Sequence, residues 1–426
     1  MVSRPVDGAA RDTSGQAGEP ADEPVDGATD EPAAGTAGEP ARYHVVRVFG
    51  SLDVGGAERR TIELMPLLTE AGAVLHFVTL SGRAGVLAPV VERMGATVHP
   101  LPLDPRFPFR FLRLLRRLEV RVVHSDVSTF SGALVLLAAL AGVPVRIAHF
   151  RSDGDGRPST LRRRIQRWVM RKLIGFFATD IVGVAPGALS NAYRPSWESD
   201  PRCRVIPNGL DLGRLARRGD LDLRASVGAA PGEIVCLHVG RPAPEKRRWV
   251  VPQVVAALTA SGRPSRGALV GARDAGDEAR VLRAAEADGV VDRVHLLGVR
   301  EDVGDLMRQA DVVVLPSERE GLPGVVLEAL AVGTVVVAAD LPGVRFIARH
   351  LPGVTVVGRD APPAEWAEAI GRAVLPSRER DPEAAVRAFR ASVFTLEAAA
   401  SAHLSMYRRS LPGARHDGTA AHPCAA

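Results

Sequence analysis

The stretch that most restricts the fold of this 426-residue chain runs from Asp311 to Gly343, DVVVLPSEREGLPGVVLEALAVGTVVVAADLPG. Asp311 to Leu315 is a β-branched run stopped by Pro316, the pattern of a short strand buried on both faces of a parallel sheet. The spacing predicts a helix over 325–332 and a second strand over 334–338. Strand, loop, helix and strand make a βαβ unit. Ser317 to Gly324 then form a loop at the carboxyl end of a strand, where open α/β sheets bind ligands.

Gly321 and Gly324 let a ligand come close to the backbone. With Leu322, Pro323 and Val325 they lead into a helix whose first N–H groups are free and whose dipole is positive at that end, a setting for phosphate or for a ring of hydroxyls. Glu320 precedes the turn and Glu328 follows about one turn into the helix, so both carboxylates can face one pocket, accepting from vicinal diols and repelling phosphate. A sugar nucleotide, polyol at both ends and anionic in the middle, satisfies both halves. The plain alternative is a solvated loop with an acid at a helix start.

Glu320, seven residues and then Glu328, in the setting EGLPGVVLEAL, resemble the E-x7-E signature of family 4 of the retaining glycosyltransferases. The resemblance implies an α/β chain of the GT-B fold: two Rossmann-like, doubly wound parallel-sheet domains facing each other across a cleft. It further implies transfer of a sugar from a nucleotide diphosphate sugar, UDP in preference to GDP, to a hydroxyl of a glycan, a lipid-linked sugar or a natural product. The donor is a co-substrate, and neither a cofactor nor a metal is called for. Glu328 would hold the ribose diol and Glu320 the donor sugar.

The rest of the chain fits this frame. Residues 1–42, with nine acids against three arginines, lack an apolar face and are expected to be disordered. They carry −6 of a whole-chain charge of +5, leaving +11 for an anionic ligand or membrane surface. Three cysteines without metal-like spacing argue for a reducing compartment. With no signal-peptide core in the tail, a cytoplasmic place is expected, with the inner membrane face as a peripheral station. An amino-terminal domain over 43–207 should alternate strands and helices from His44 onward, with the nucleotide-sugar domain over 208–393, a terminal helix over 394–410 crossing back, and a second tail over 411–426.

The turn GSLDVGGAE after the first strand lacks the G-x-G-x-x-G fingerprint, which sets a dehydrogenase aside. Gly55 and Gly56 in it match a cleft turn of the family, although a tight β-to-α turn explains them equally. By resemblance, His149 points at the transferred sugar. Arg241 and Lys246, in GRPAPEK, would grip the diphosphate, and Val299 and Arg300 belong to the loop beside the nucleobase. Asp153-Gly154-Asp155 has the D-x-D form of a metal site in unrelated transferases, but here reads as turn chemistry.

Two arginine-rich segments, 106–121 and 157–172, could lie on an anionic membrane. For the second, the expectation is an ordinary helix with an apolar underside and a solvated arginine face. No stacking platform or recognition motif speaks for nucleic acid. The competing readings are a sugar-nucleotide 2-epimerase of the same fold and a non-catalytic module that binds membrane surfaces.

Overall fold

The computed structural model describes residues 41–409 and Leu411, apart from Val54, Asp153, 155–159 and 378–380. The acidic tail up to residue 40, the carboxyl tail past Leu411, and both aspartates of the D-x-D triplet lie outside the described residues.

Two parallel sheets form from short apolar runs. The first contains β1 (Tyr43–Phe49), β2 (Ala73–Thr79), β3 (Thr97–Pro100), β4 (Val122–Ser125), β5 (Val145–Phe150), β6 (Asp180–Gly183) and β7 (Cys203–Val205), in the order β3-β2-β1-β4-β5-β6-β7. The second contains β8 (Ile234–Val239), β9 (Ser265–Val270), β10 (Val294–Gly298), β11 (Val312–Leu315), β12 (Val336–Ala339) and β13 (Val354–Val357), in the order β10-β9-β8-β11-β12-β13. Every residue of β4, β6, β11 and β12 is buried, as strands covered by helices on both faces must be. Both sheets are doubly wound: the strand order reverses beside β1 in one and beside β8 in the other. The four loops after β1, β4, β8 and β11 therefore open into switch-point crevices, where ligands of such sheets bind.

The terminal helix, Leu396–Arg408, starts at Thr395, whose side chain accepts from the Ala398 N–H. Its Ala399, Ala400, Met406 and Tyr407 pack into one cluster with Val45, Phe49 and Phe77 of the first sheet. The chain thus passes between domains twice, and the passages touch: the Leu210 N–H donates to the Phe394 carbonyl at 3.0 Å. A Cβ on Gly209 would stand 2.8 Å from the Leu396 Cα, so the crossing has room only for glycine.

The helix Leu161–Phe177 corrects one expectation. Its apolar underside is confined to the second half, where Ile174 is buried and Met170, Leu173 and Phe177 are half-buried, and its other large apolar residues face outward. The helix Ser131–Leu140 approaches it backbone to backbone: a Cβ on Gly132 would lie 2.3 Å from the Met170 carbonyl oxygen. That contact needs no large side chains beneath it. The other arginine-rich helix, Phe107–Arg117, does bury Phe107, Phe111, Leu114 and Leu115. No helix among the described residues is long and apolar enough to cross a membrane.

Candidate active site

The loop after β11 and the loop after β8 meet at the second switch point, where the Glu318 N–H donates to the Glu245 carbonyl at 2.7 Å. This brings Lys246 onto Glu320 at 2.5 Å, with the Ser317 hydroxyl donating to the same carboxylate oxygen at 2.9 Å. The signature helix, Gly324–Ala331, follows with no side-chain cap; the Val326 N–H donates to the Pro323 carbonyl at 3.1 Å, which leaves the Gly324 and Val325 N–H groups beside the pair. Arg241 is not drawn in. Its side chain is 68% exposed and pairs with Glu245 at 2.5 Å.

Glu328 is buried, with arginines on its carboxylate. It accepts from Arg214 at 2.9 Å and from Arg60, which reaches it from the amino-terminal domain. Arg60 also holds Glu63 at 2.6 Å, so two arginines and two glutamates form one network across the cleft. The Arg60 guanidinium lies beside the helix start too, 3.3 Å from where a Cβ on Gly324 would be. Burial pushes the Glu63 carboxyl up, against the opposing pull of Arg60. Arg60 sits on the first helix, Gly56–Glu70, which begins at Gly55 in extended conformation. Leu322 is buried with this core, and at Gly321 the domains approach closely: a Cβ there would lie 2.4 Å from the Arg151 carbonyl oxygen and 2.9 Å from the Ser152 Cα.

Val299 is exposed, and Arg300 bonds Asp302 within its own loop. Together with Glu301 these residues face Gly219, Asp220 and Leu221 across a hollow of about 500 Å³.

His149 is fully buried at the end of β5. Its Nδ1 meets the Nε2 of His124 at 2.8 Å, and the His124 Nδ1 meets the Tyr407 hydroxyl at 2.8 Å. His403 stacks on His124, centroids 5.4 Å apart, and donates from Nδ1 to the Ala399 carbonyl at 2.7 Å. Asp126 stands 3.5 Å from His149 and takes Arg47 and Arg151 at 2.8 Å each. Burial pushes His124 and His149 well below the ordinary histidine range, with Arg47 and Arg151 respectively adding to the effect; it lowers His403 to about 3. Burial alone would raise Asp126, but Arg47 and Arg151 bring it down to about 2. The three imidazoles lie close enough to share a cation. Yet His124 spends both nitrogens on His149 and Tyr407, and two arginines crowd the same space, so the cluster reads as a hydrogen-bonded core.

Each half of the chain matches a family model: "Glycosyl transferase 4-like domain" over residues 55–209, and "Glycosyl transferases group 1" over residues 233–375. The chain is a glycosyltransferase of family 4, with the GT-B fold.

The glycosyltransferase is 27% identical to the capsular polysaccharide biosynthesis glycosyltransferase CapH of Staphylococcus aureus, over 70% of this chain and 81% of the relative. It is 28% identical to the putative glycosyltransferase EpsF of Bacillus subtilis, over 80% and 90%. Among solved structures, Anabaena HepE in complex with UDP superposes with a TM-score of 0.69 at 18% identity, covering 87% of this chain and 100% of that one.

Five residues of these two networks, Arg60, Glu63, Asp126, Arg151 and Arg214, are not marked by any motif in the sequence. Arg60 falls one helical turn after Gly56, which aims it at the cleft, but Arg59 beside it has the same chemistry. Arg151 binds Asp126, Asn208 at 2.7 Å and Thr61 at 3.2 Å, tying β5 to the first helix and the interdomain junction. No local pattern in the chain announces such a hub.

Proposed function

We propose that this glycosyltransferase moves a hexosyl group from a nucleotide diphosphate sugar, UDP in preference to GDP, to a hydroxyl of a glycan, lipid-linked sugar or natural product, with retention and without a metal ion. The observation that carries this reading is Lys246 held on Glu320 beside the uncapped start of helix Gly324–Ala331. A cation, free N–H groups and a carboxylate thus converge at one switch point. HepE has been captured with UDP and with UDP-glucose, which supports a uridine donor here.

In this reading the uncapped N–H groups and Lys246 take the charge that grows on the diphosphate as the sugar leaves, electrostatics set in place before the reaction. Glu320 accepts from the sugar hydroxyls, and Glu328 from the ribose diol. The ribose then replaces Arg60 on Glu328, and Arg60, already beside Gly324, turns to the diphosphate. The anomeric carbon exchanges its bond to the diphosphate oxygen for one to the acceptor oxygen, and the acceptor proton departs with the diphosphate. His149, neutral and buried beneath the loop that touches Gly321, supports the cleft floor from the acceptor side. The hollow by Val299 and Arg300 suits the base.

The test is thermal shift with UDP, GDP and their sugars, followed by nucleotide release with and without acceptor, in EDTA. UDP should raise the melting temperature, Glu328→Gln should diminish that rise, and release should depend on acceptor. No shift with any nucleotide diphosphate would overturn the reading. Release without an acceptor product would turn it to an epimerase.

A further inference from the structure

The arginine-rich helix Leu161–Phe177 turns its apolar residues outward: Leu161, Ile165, Trp168 and Phe176 are 55–77% exposed. At about 100° per residue these four and Val169 share an arc roughly 100° wide, on the side away from the Met170–Ile174 contact. Arg162 and Arg164 flank the arc, and Lys172 lies within it, its ammonium 5.8 Å from the Trp168 ring centre. The helix holds five arginines, one lysine and no acid. Soluble surfaces seldom expose a continuous apolar strip of this length.

We propose that this helix is a docking surface for an anionic lipid bilayer. Charge complementarity selects the occupant. Apolar side chains in such an arc enter the headgroup boundary while flanking cations meet lipid phosphates. Helix Phe107–Arg117 shows the contrast, since its apolar residues are spent on the core and Phe109 alone is bare. Geometry adds a reason for the site: the docking helix belongs to the crossover that leaves β5 at its carboxyl end, the end that faces the cleft, and it packs on Ser128–Phe130 just after β4. A chain lying on this helix holds the cleft mouth close to the membrane, where a lipid-linked acceptor would enter. Vesicle binding needs no turnover, so it stands or falls apart from the donor chemistry.

The experiment uses the full chain with vesicles of phosphatidylglycerol in phosphatidylcholine, and with phosphatidylcholine alone. Co-sedimentation should require the anionic lipid. Trp168 fluorescence, taken as the difference from Trp168→Phe, should shift to the blue and be quenched by brominated acyl chains. Arg162→Gln with Arg164→Gln should lower the partition coefficient about 30-fold, each charge near an anionic surface being worth about fivefold. Ile165→Asn with Phe176→Asn should abolish insertion and leave transfer to a water-soluble acceptor unchanged. Should that pair fail to fold, quenching in the unaltered chain decides alone. Equal binding to neutral vesicles or absence of quenching overturns the proposal. So does a dimer in sedimentation that Ile165→Asn dissolves, because a second copy would then cover the face.

Discussion

Lowering the pH from 7 to 5 should cost this protein about 6 kcal/mol of folding stability through three side chains alone. His124, His149 and His403 are each fully buried and pushed far below their ordinary value of 6.5, so the fold holds them neutral while the unfolded chain protonates them. A histidine whose folded value is depressed contributes stability above the unfolded value and loses it as pH falls toward the folded one. Each such site loses about 1.4 kcal/mol per pH unit once pH is well below 6.5, hence about 4 kcal/mol per unit for three. Glu58 and Glu63 act in the opposite sense: burial raises both, so protonation in the fold returns some stability near the acid end of the window. Asp126, held at about 2, adds a loss only below its ordinary 3.8. Against a total of roughly 5–15 kcal/mol for a folded domain, unfolding should begin near pH 5. Buried His238, lowered to about 3, and His76, lowered to about 4, add to the slope that urea titrations at half-unit intervals measure, so His403→Leu should remove about a fifth of it. A total change under about 2 kcal/mol between pH 7 and 5 would mean that the imidazoles titrate in place and that the cluster is not dry.

Three further outcomes concern the cleft. Lys246→Ala should reduce kcat by about 30-fold to 1,000-fold, as removal of one donor from an oxyanion site does, and Arg241→Ala by less, because its guanidinium stands outside on Glu245; kcat and KM with EDTA present throughout would compare them, and equal parent-like turnover for both would sink the diphosphate site. Gly321→Ala puts a methyl group 2.4 Å from the Arg151 carbonyl oxygen, so the domains must part there; kcat should fall with little change in Tm, and a fully active variant would show that turnover needs no such contact. Arg60→Met should lower kcat by about 30-fold, the worth of a charge-assisted bond of about 2 kcal/mol, while nucleotide affinity measured by calorimetry stays within a few fold, since Glu328 gains freedom as the diphosphate loses a partner; a large loss of affinity with normal kcat would contradict the exchange.

The sheets were legible because parallel strands buried on both faces leave short β-branched runs that need no distant partner to be recognised. β11 and the start of the signature helix fall within a residue of their expected places. The loop from Glu320 to Gly324 was legible for the same local reason. What Glu328 touches was not: Arg60 is 268 residues away, and only the packing of two domains makes them neighbours. The facing of helix Leu161–Phe177 was hidden differently. Periodicity shows that apolar residues share a side, but not that a glycine contact has turned that side outward. Arg241 and Lys246 looked equivalent in one loop, and a single turn of backbone sends one inward and the other into solvent.

The return of the terminal helix has a consequence for synthesis. Met406 and Tyr407 complete the core that begins with β1, so about 360 residues must be made after that strand before its domain can close. At about 5–20 residues per second the opening sheet waits roughly 20–70 s for its last pieces. The second sheet, whose strands all lie between residues 234 and 357, has every strand in hand earlier. The order of maturation therefore runs against the order of translation, and a ribosome that stops just before Met406 releases a second domain with all its strands beside an unfinished first one.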